Sequence, residues 1–392
     1  MAKKTICIVT GSRAEFGLLR PVMRAVAAHK LLRLKVIISG SHLLPPGTGK
    51  EVEAEFGKHV ADVVPMQGQA SPRTRQLDAL DTAEGMSGFA NAFGHIRPEW
   101  VVVLGDRIEA FAAAAAASIG GYGLCHIHGG DRAEGVADEA MRHAISKLAH
   151  LHCAATVGSA ARLVKMGEPK ARVHNVGSPA IDGLAELAEA NGPLGWESES
   201  GGESMPDIVL LQHPAGLGER AERAWAKAAV NACDRAAQRG VLALEPNYDA
   251  GREGISAVLA EKMAAPAARA RVPWVLAEHL PRGAFVGTLA GLAASGGVLV
   301  GNSSAGLIEA AALGTAVVNL GPRQAGRERA GNVVDVVKAD AGAIAAAITA
   351  VRRRTIKPSK VYGNGHAGER IASLLSKTDG HAAAVRRKCN AY

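Results

Sequence analysis

The chain has 392 residues, 48% of them hydrophobic and 21% charged, with a formal net charge of +8. That balance describes a globular protein, and the length exceeds what one hydrophobic core usually serves, so two domains are expected. Aromatics make up only 4%, too few for the stacking platforms of single-strand binding, and no nucleic-acid module is recognisable, so no nucleic-acid partner is expected.

No apolar run is long enough to span a bilayer, since "EAFAAAAAASIG" is a short, weakly apolar helical stretch. "MAKKTICIVTG" passes from two lysines straight into a strand without the small-residue cleavage site of a signal peptide. Five cysteines, at 7, 125, 153, 233 and 389, form no CxxC pair. Reduced thiols, a cytoplasmic location and no membrane partner are expected.

In the first half, strand candidates TICIVTG, LRLKVIIS, HVADVVPM, WVVVLGD, GLCHIHG, HCAAT and RVHNVG alternate with helical segments. The helices are expected over Glu15–Ala28, Thr74–Phe93, Glu109–Ile119 and Val136–Leu151. After the first strand, "TGSRAEFGLLRP" runs a glycine turn into a helix. Amides and a positive dipole end beside Arg13 suit a phosphate edge, and an exposed turn arginine fits equally well. No GxGxxG follows that strand, and in "LPPGTGKE" Lys50 precedes Glu51 rather than Ser or Thr. Nicotinamide and ATP chemistry lose support, and no cofactor is expected.

"VVVLGDRIEA" sets Asp106 and Arg107 directly after a very apolar strand. An acid and a base flanking one sugar carbon is what proton abstraction with leaving-group loss requires. Next comes "HIHGGDRAEG", with His126, His128, Asp131 and Glu134. HxH pairs at 126/128 and 150/152 should direct their imidazoles to one face of a strand. No HExxH or Cys/His quartet accompanies them, and no metal is assigned. In "VADEAMRHAISK", i,i+4 spacing pairs Asp138 with Arg142 and Glu139 with His143, the usual pattern of a helix surface.

The Gly-, Ser- and Glu-rich stretch from Glu189 reads as a linker, residues 189–206. Beyond it come DIVLLQHP, VLALEPN, WVLAEHL, GVLVGNS, TAVVNL and NVVDVV, with helices over Glu219–Gln238 and Ser304–Leu313. His213 follows the first of these strands, and Asn247, Asp249 and Arg252 follow the second. "GNSSAGLIEAAALG" places Ser303 and Ser304 at a helix start, as N-caps or as a diphosphate cradle. Glu309, one and a half turns into that helix, could accept ribose hydroxyls, and Arg323, Arg327 and Arg329 end the next strand. Near-continuous apolar strands alternating with helices indicate two Rossmann-like, doubly wound α/β domains with a cleft between them. Their expected bounds are 1–188 and 207–365, with a helix and tail over 366–392 packing back on the first.

These ordered motifs resemble the hydrolysing UDP-N-acetylglucosamine 2-epimerases, including bacterial enzymes of sialic- and nonulosonic-acid synthesis. The resemblance implies a glycosyltransferase-B-type fold, a nucleotide-sugar substrate, no cofactor, and a homodimer or homotetramer. It implies nucleotide and diphosphate contacts from Arg13, Arg107, Ser303, Ser304, Glu309 and Arg323. His213, Asn247 and Asp249 match positions near the sugar and phosphate, His213 being grouped with the catalytic residues. Asp106 and Asp138 match the acid/base carboxylates, and Arg142 and His143 follow in the matching helix. The implied reaction eliminates UDP across C1 and C2 and hydrates the resulting 2-acetamidoglycal. Some relatives carry a glutamate where His128 stands, which leaves His128, Asp131 and Glu134 as alternatives for the C2 proton. A glycosyltransferase of the same architecture, or a sugar-nucleotide sensor, are the competing readings.

Overall fold

The computed structural model describes residues 3–45, 47–68, 74–132, 138–197, 203–247, 249, 251–266 and 271–391. The chain divides into two compact units, one of Met1–Asp131, Ala137–Asp182 and Gly363–Tyr392, the other of Arg132–Val136 and Gly183–Tyr362.

The first unit is built on seven parallel strands: β1 (Lys4–Thr10), β2 (Leu32–Ser39), β3 (Val60–Val64), β4 (Trp100–Leu104), β5 (Gly123–Ile127), β6 (Leu151–Ala154) and β7 (Val173–Asn175). Their order is β3-β2-β1-β4-β5-β6-β7. β4 and β5 are buried along their whole length. That is why they read as unbroken apolar runs, since helices cover both faces of the sheet. Ile6, Ile8, Val102 and Ile127 meet α1 (Arg13–Ala28) on one face. Cys7, Val9, Val101 and Val103 cluster on the other with residues of α3 (Arg75–Ile96) and α4 (Ile108–Ile119). The alanine run of α4 lies in this second core, with Ala112, Ala113, Ala114 and Ala117 fully buried. Three further helices complete the order: α2 (Gly49–Phe56), α5 (Asp138–Leu148) and α6 (Val157–Lys165). α5 ends three residues short of the expected helix, because Leu151 already opens β6.

The second unit holds α7 (Leu184–Ala190), a short antiparallel ribbon of β8 (Trp196–Glu197) and β9 (Glu203–Ser204), and a six-stranded parallel sheet. The sheet strands are β10 (Ile208–Leu211), β11 (Val241–Leu244), β12 (Trp274–Ala277), β13 (Val298–Gly301), β14 (Ala316–Leu320) and β15 (Val333–Val336). They are ordered β12-β11-β10-β13-β14-β15. α8 (Glu219–Ala236), α9 (Arg252–Ala264), α10 (Arg282–Ser295), α11 (Glu309–Leu313) and α12 (Ala341–Arg352) intervene. Residues 189–206 belong to this unit, and Asn191 is so close that a Cβ on Gly287 would meet its carbonyl oxygen at 2.1 Å. The expected helix from Ser304 is broken instead: a 3-10 turn covers Ser304–Gly306, and α11 starts only at Glu309.

After the second unit the chain returns to the first as α13 (Ala367–Lys377) and α14 (Ala383–Arg386). Ile371 and Leu375 join the α1 core. Trp100 is fully buried and donates its indole N–H to the Thr378 carbonyl at 3.3 Å. Truncating such a tryptophan costs about 3–5 kcal/mol. Near the tail, Lys388 reaches the buried Glu168 carboxylate, which also accepts from Lys147 at 2.8 Å and lies 2.9 Å from His152 Nε2. Burial pushes Glu168 up, but these hydrogen bonds outweigh it and bring it down to about 2. Among the described residues no helix is long and apolar enough to cross a membrane.

Candidate active site

In an open parallel sheet, ligands bind where the strand order reverses, beyond the carboxyl ends of the strands. The reversal falls between β1 and β4 in the first unit and between β10 and β13 in the second. The loops leaving these strands hold Arg13 and Asp106–Arg107 in one unit, and His213 and Asn302–Ser304 in the other.

At the end of β1 the sequence Ser-Arg-Ala-Glu caps α1 with its own side chains. Ser12 Oγ accepts from the Glu15 amide at 3.4 Å, and Glu15 Oε2 accepts from the Gly11 amide at 2.7 Å. This is a variant of the capping box, and it takes up Gly11 and Glu15 amides that the sequence reading had offered to a phosphate. Arg13 is the first residue of α1 and remains the cation of this loop. Glu15 is pushed up to about 8 by burial and by the neighbouring Glu109 carboxylate, against the hydrogen bond from Gly11 and the charge of Arg107. Glu109 is fully buried, and its Oε2 lies 3.4 Å from Arg107 Nε. Neither glutamate stood out in the sequence; the SxxE spacing was the available signal for Glu15.

Asp106 leaves β4 through Gly105, whose φ of 77° favours glycine. Its carboxylate is ion-paired with Arg142 of α5, the aspartate side chain 17% exposed and the arginine 3%. Arg142 also lies 3.8 Å from Asp131. The fold brings Arg142 to a carboxylate from a strand end, and its expected i,i+4 pairing with Asp138 falls on a side chain outside the described residues. The side chain of Asp138 and all of Glu134 lie outside the described residues. His143 pairs with Glu139 at 3.2 Å on the same helix, as the spacing predicts.

His128 stands one residue past β5 with φ 65°, a left-handed conformation that costs a non-glycine residue about 1–2 kcal/mol. Three bonds hold it there: its amide donates to the Cys153 carbonyl, Nδ1 lies 2.8 Å from Asp131 Oδ2, and Nε2 lies 2.9 Å from Ser178 Oγ. Asp131 Oδ1 accepts from Ser159 Oγ at 2.7 Å. Both ring nitrogens of His128 and both oxygens of Asp131 therefore have protein partners, and both residues are buried. The four histidines of the two HxH pairs have separate partners: His126 meets Gly105 and Ser146, His150 accepts from the Leu124 amide, and His152 meets Glu168. β5 ends at Ile127, so the alternation expected to align His126 with His128 stops between them.

In the second unit, His213 Nδ1 accepts from the Asn247 amide at 3.1 Å, which places the imidazole proton on Nε2. Burial drives this histidine down to about 3, helped by Arg323 and opposed by Asp249. It is neutral at physiological pH and can donate from Nε2 without being an imidazolium acid. Asn302 fixes its backbone from both sides, accepting from His213 N at 2.7 Å and donating to His213 O at 2.8 Å. Arg323 donates to the carbonyls of Pro214 and Asn302, both at 3.2 Å. Asn247 donates to Asp249. Ser303 caps the turn by accepting from Ala305 N at 3.4 Å, so its N-cap reading holds, and Ser304 begins the 3-10 turn. Glu309 is buried and receives Arg282 Nη1 at 3.2 Å. Asn302 and Arg282 were missed in the sequence. Among the described residues, no group of three metal-ligating side chains comes together.

A family model described as UDP-N-acetylglucosamine 2-epimerase matches residues 24–376. The chain is 32% identical over 391 residues to the UDP-N,N'-diacetylbacillosamine 2-epimerase (hydrolyzing) of Legionella pneumophila, covering 99% of this chain and 100% of that one. It is 31% identical to the UDP-N-acetylglucosamine 2-epimerase of Neisseria meningitidis, over 85% of this chain and 83% of that one. The fold is that of a crystal structure of UDP-GlcNAc 2-epimerase from Neisseria meningitidis bound to UDP-GlcNAc, at a TM-score of 0.75 and 19% identity, over 95% of this chain and all of the other. With its two parallel-sheet α/β units of seven and six strands, the chain belongs to the UDP-N-acetylglucosamine 2-epimerase family of enzymes.

Proposed function

We propose that this protein is a hydrolysing 2-epimerase of a UDP-linked 2-acetamido sugar, releasing UDP and the free 2-epimer. The observation that carries the proposal is Asp106, a partly exposed carboxylate at the β1/β4 reversal point, ion-paired with the buried Arg142. A relative matched over 99% of this chain is named for UDP-N,N'-diacetylbacillosamine, which supports a diacetamido sugar as the preferred substrate and UDP-N-acetylglucosamine as the second.

In the first step the C1–O bond breaks, UDP departs with the bonding pair, and the C2 proton passes to a carboxylate, leaving a 2-acetamidoglycal. In the second, water adds hydroxyl to C1 while a proton returns to C2 from the opposite face. The C2 proton is weakly acidic, so C1–O cleavage runs ahead of its removal. Asp106 is the acid/base group, with Glu134 and Asp138 as its companions. The C2 proton is assigned to Asp106 rather than to His128 or Asp131, whose ring nitrogens and oxygens are engaged with each other and with Ser178 and Ser159, while Asp131 lies 3.8 Å from Arg142. Arg13 and Arg107 assist the diphosphate. His213 donates from Nε2 to the departing diphosphate, with Arg323, Ser303 and Ser304 beside it. Asn247 and Asp249 face the sugar, Glu309 takes the ribose hydroxyls, and His143 supports α5.

The test is a panel of UDP and GDP sugars incubated with the full-length protein in D2O. Free diphosphate, the 2-epimer and one deuterium at C2 are expected without any acceptor. Absence of diphosphate release from every sugar overturns the proposal, and acceptor-dependent release supports a glycosyltransferase instead. Asp106→Asn should lower kcat about 10²–10⁴-fold while leaving UDP affinity within a few-fold.

A further inference from the structure

His126 is fully buried and takes no part in the chemistry above. Its Nε2 lies 2.7 Å from the Gly105 carbonyl, and a carbonyl only accepts, so Nε2 carries the proton. Nδ1 is then a lone pair, 3.1 Å from Ser146 Oγ. Ser146, also fully buried, lies 3.0 Å from the carbonyl of Arg142, and its single hydroxyl proton serves either that carbonyl or His126 Nδ1. Arg142 is ion-paired with Asp106, which follows Gly105 in the chain. The contacts close a ring: Gly105, Asp106, Arg142, Ser146, His126 and back to Gly105.

The ring is closely packed. A Cβ on Gly129 would come within 2.9 Å of His126 Nδ1 and 3.0 Å of Ser146 Oγ. The Gly105 amide is held from the other side by the Ile127 carbonyl at 3.0 Å. Burial brings His126 down to about 3, so its donor and acceptor keep their places across physiological pH.

We infer that His126 is a positioning residue for Asp106, one imidazole setting both the turn that carries the acid and the helix that carries its arginine. The inference rests on Asp106 being the acid/base group. A carboxylate misplaced by about 1 Å loses about 10²-fold in rate, and such a displacement acts on turnover more than on nucleotide binding.

The experiment measures kcat, KM and UDP affinity of the full-length enzyme for His126→Leu, His126→Gln, His126→Asn and Asp106→Asn. Leucine removes both polar atoms, glutamine can keep the donor toward Gly105, and asparagine is too short to do so. Loss of about 10²-fold in kcat for His126→Leu, with KM and UDP affinity near wild type and several-fold recovery by His126→Gln, is the expected result. If His126→Leu does not fold, a higher kcat for the glutamine than for the asparagine variant supports the inference, and equal values overturn it. Equal kcat across a folded series, or parallel losses in kcat and UDP affinity without recovery by glutamine, also overturns it. An inactive Asp106→Asn beside unaffected His126 variants defeats the inference alone. Retained turnover in Asp106→Asn defeats the acid/base assignment and the inference with it.

Discussion

The two strand-reversal edges obey one topological rule and handle charge in opposite ways. In the first unit, ionisable side chains are bound to one another: Asp106 with Arg142, Asp131 with His128, and Glu109 beside Arg107. In the second, the central group is a neutral imidazole whose orientation comes from backbone bonds and from Asn302. A carboxylate that must exchange a proton profits from a fixed partner that sets its position. A donor that stabilises departing negative charge profits from preorganisation and needs no titration of its own.

The His213 side of this contrast can be broken at large effect. His213→Ala should lower kcat/KM about 10²-fold, as loss of one preorganised donor to a developing anion does. Because burial already holds the ring neutral down to about pH 3, pH–rate profiles of wild type and variant should have limbs at the same pH between 5 and 9. A limb that disappears with His213 would assign it a proton-transfer role after all. A smaller effect is expected from Glu309→Gln, which removes the charge facing Arg282. Its UDP affinity, read by calorimetry, should fall about 10-fold, the size of one charge-assisted hydrogen bond, with little change in the rate at saturation.

The smallest effect concerns stability. Glu15 titrates near 8 in the folded chain against an ordinary value of 4.5. The folded state therefore holds a proton that the unfolded state releases, and this contribution is present below pH 4.5 and lost as pH rises through about 8. Glu15→Gln removes that loss. The Tm of the variant should rise relative to wild type between pH 5 and 8, by a few degrees, and a constant difference over that range would refute the assignment.

The architecture was written openly in the sequence because parallel strands covered on both faces leave near-continuous apolar runs. All thirteen expected strands are present, among them β4 and β13 with every residue buried. The site was legible only in part. Strand-end placement was legible for Asp106, His213 and Ser303, which follow β4, β10 and β13, since the chain itself marks where strands stop. Local partnerships such as His143 with Glu139 were legible and long-range ones were not: Arg142 meets an aspartate thirty-six positions earlier, which no local spacing encodes. The same holds for Arg282, whose carboxylate partner comes from another helix. α11 was misread because "SSAGLIEAAAL" is helical by composition, whereas the segment spends its first turn as 3-10 and breaks near Ile308.

The return of residues 363–391 to the first unit orders events on the ribosome. α1 lacks its α13 partner, and Glu168 lacks Lys388, until the β10–β15 sheet has already emerged. Domains fold as units while the chain is being made, so the second unit can consolidate before the first has its last segment. A stop codon after residue 362 would spare the later-made sheet and cripple the one that was translated first.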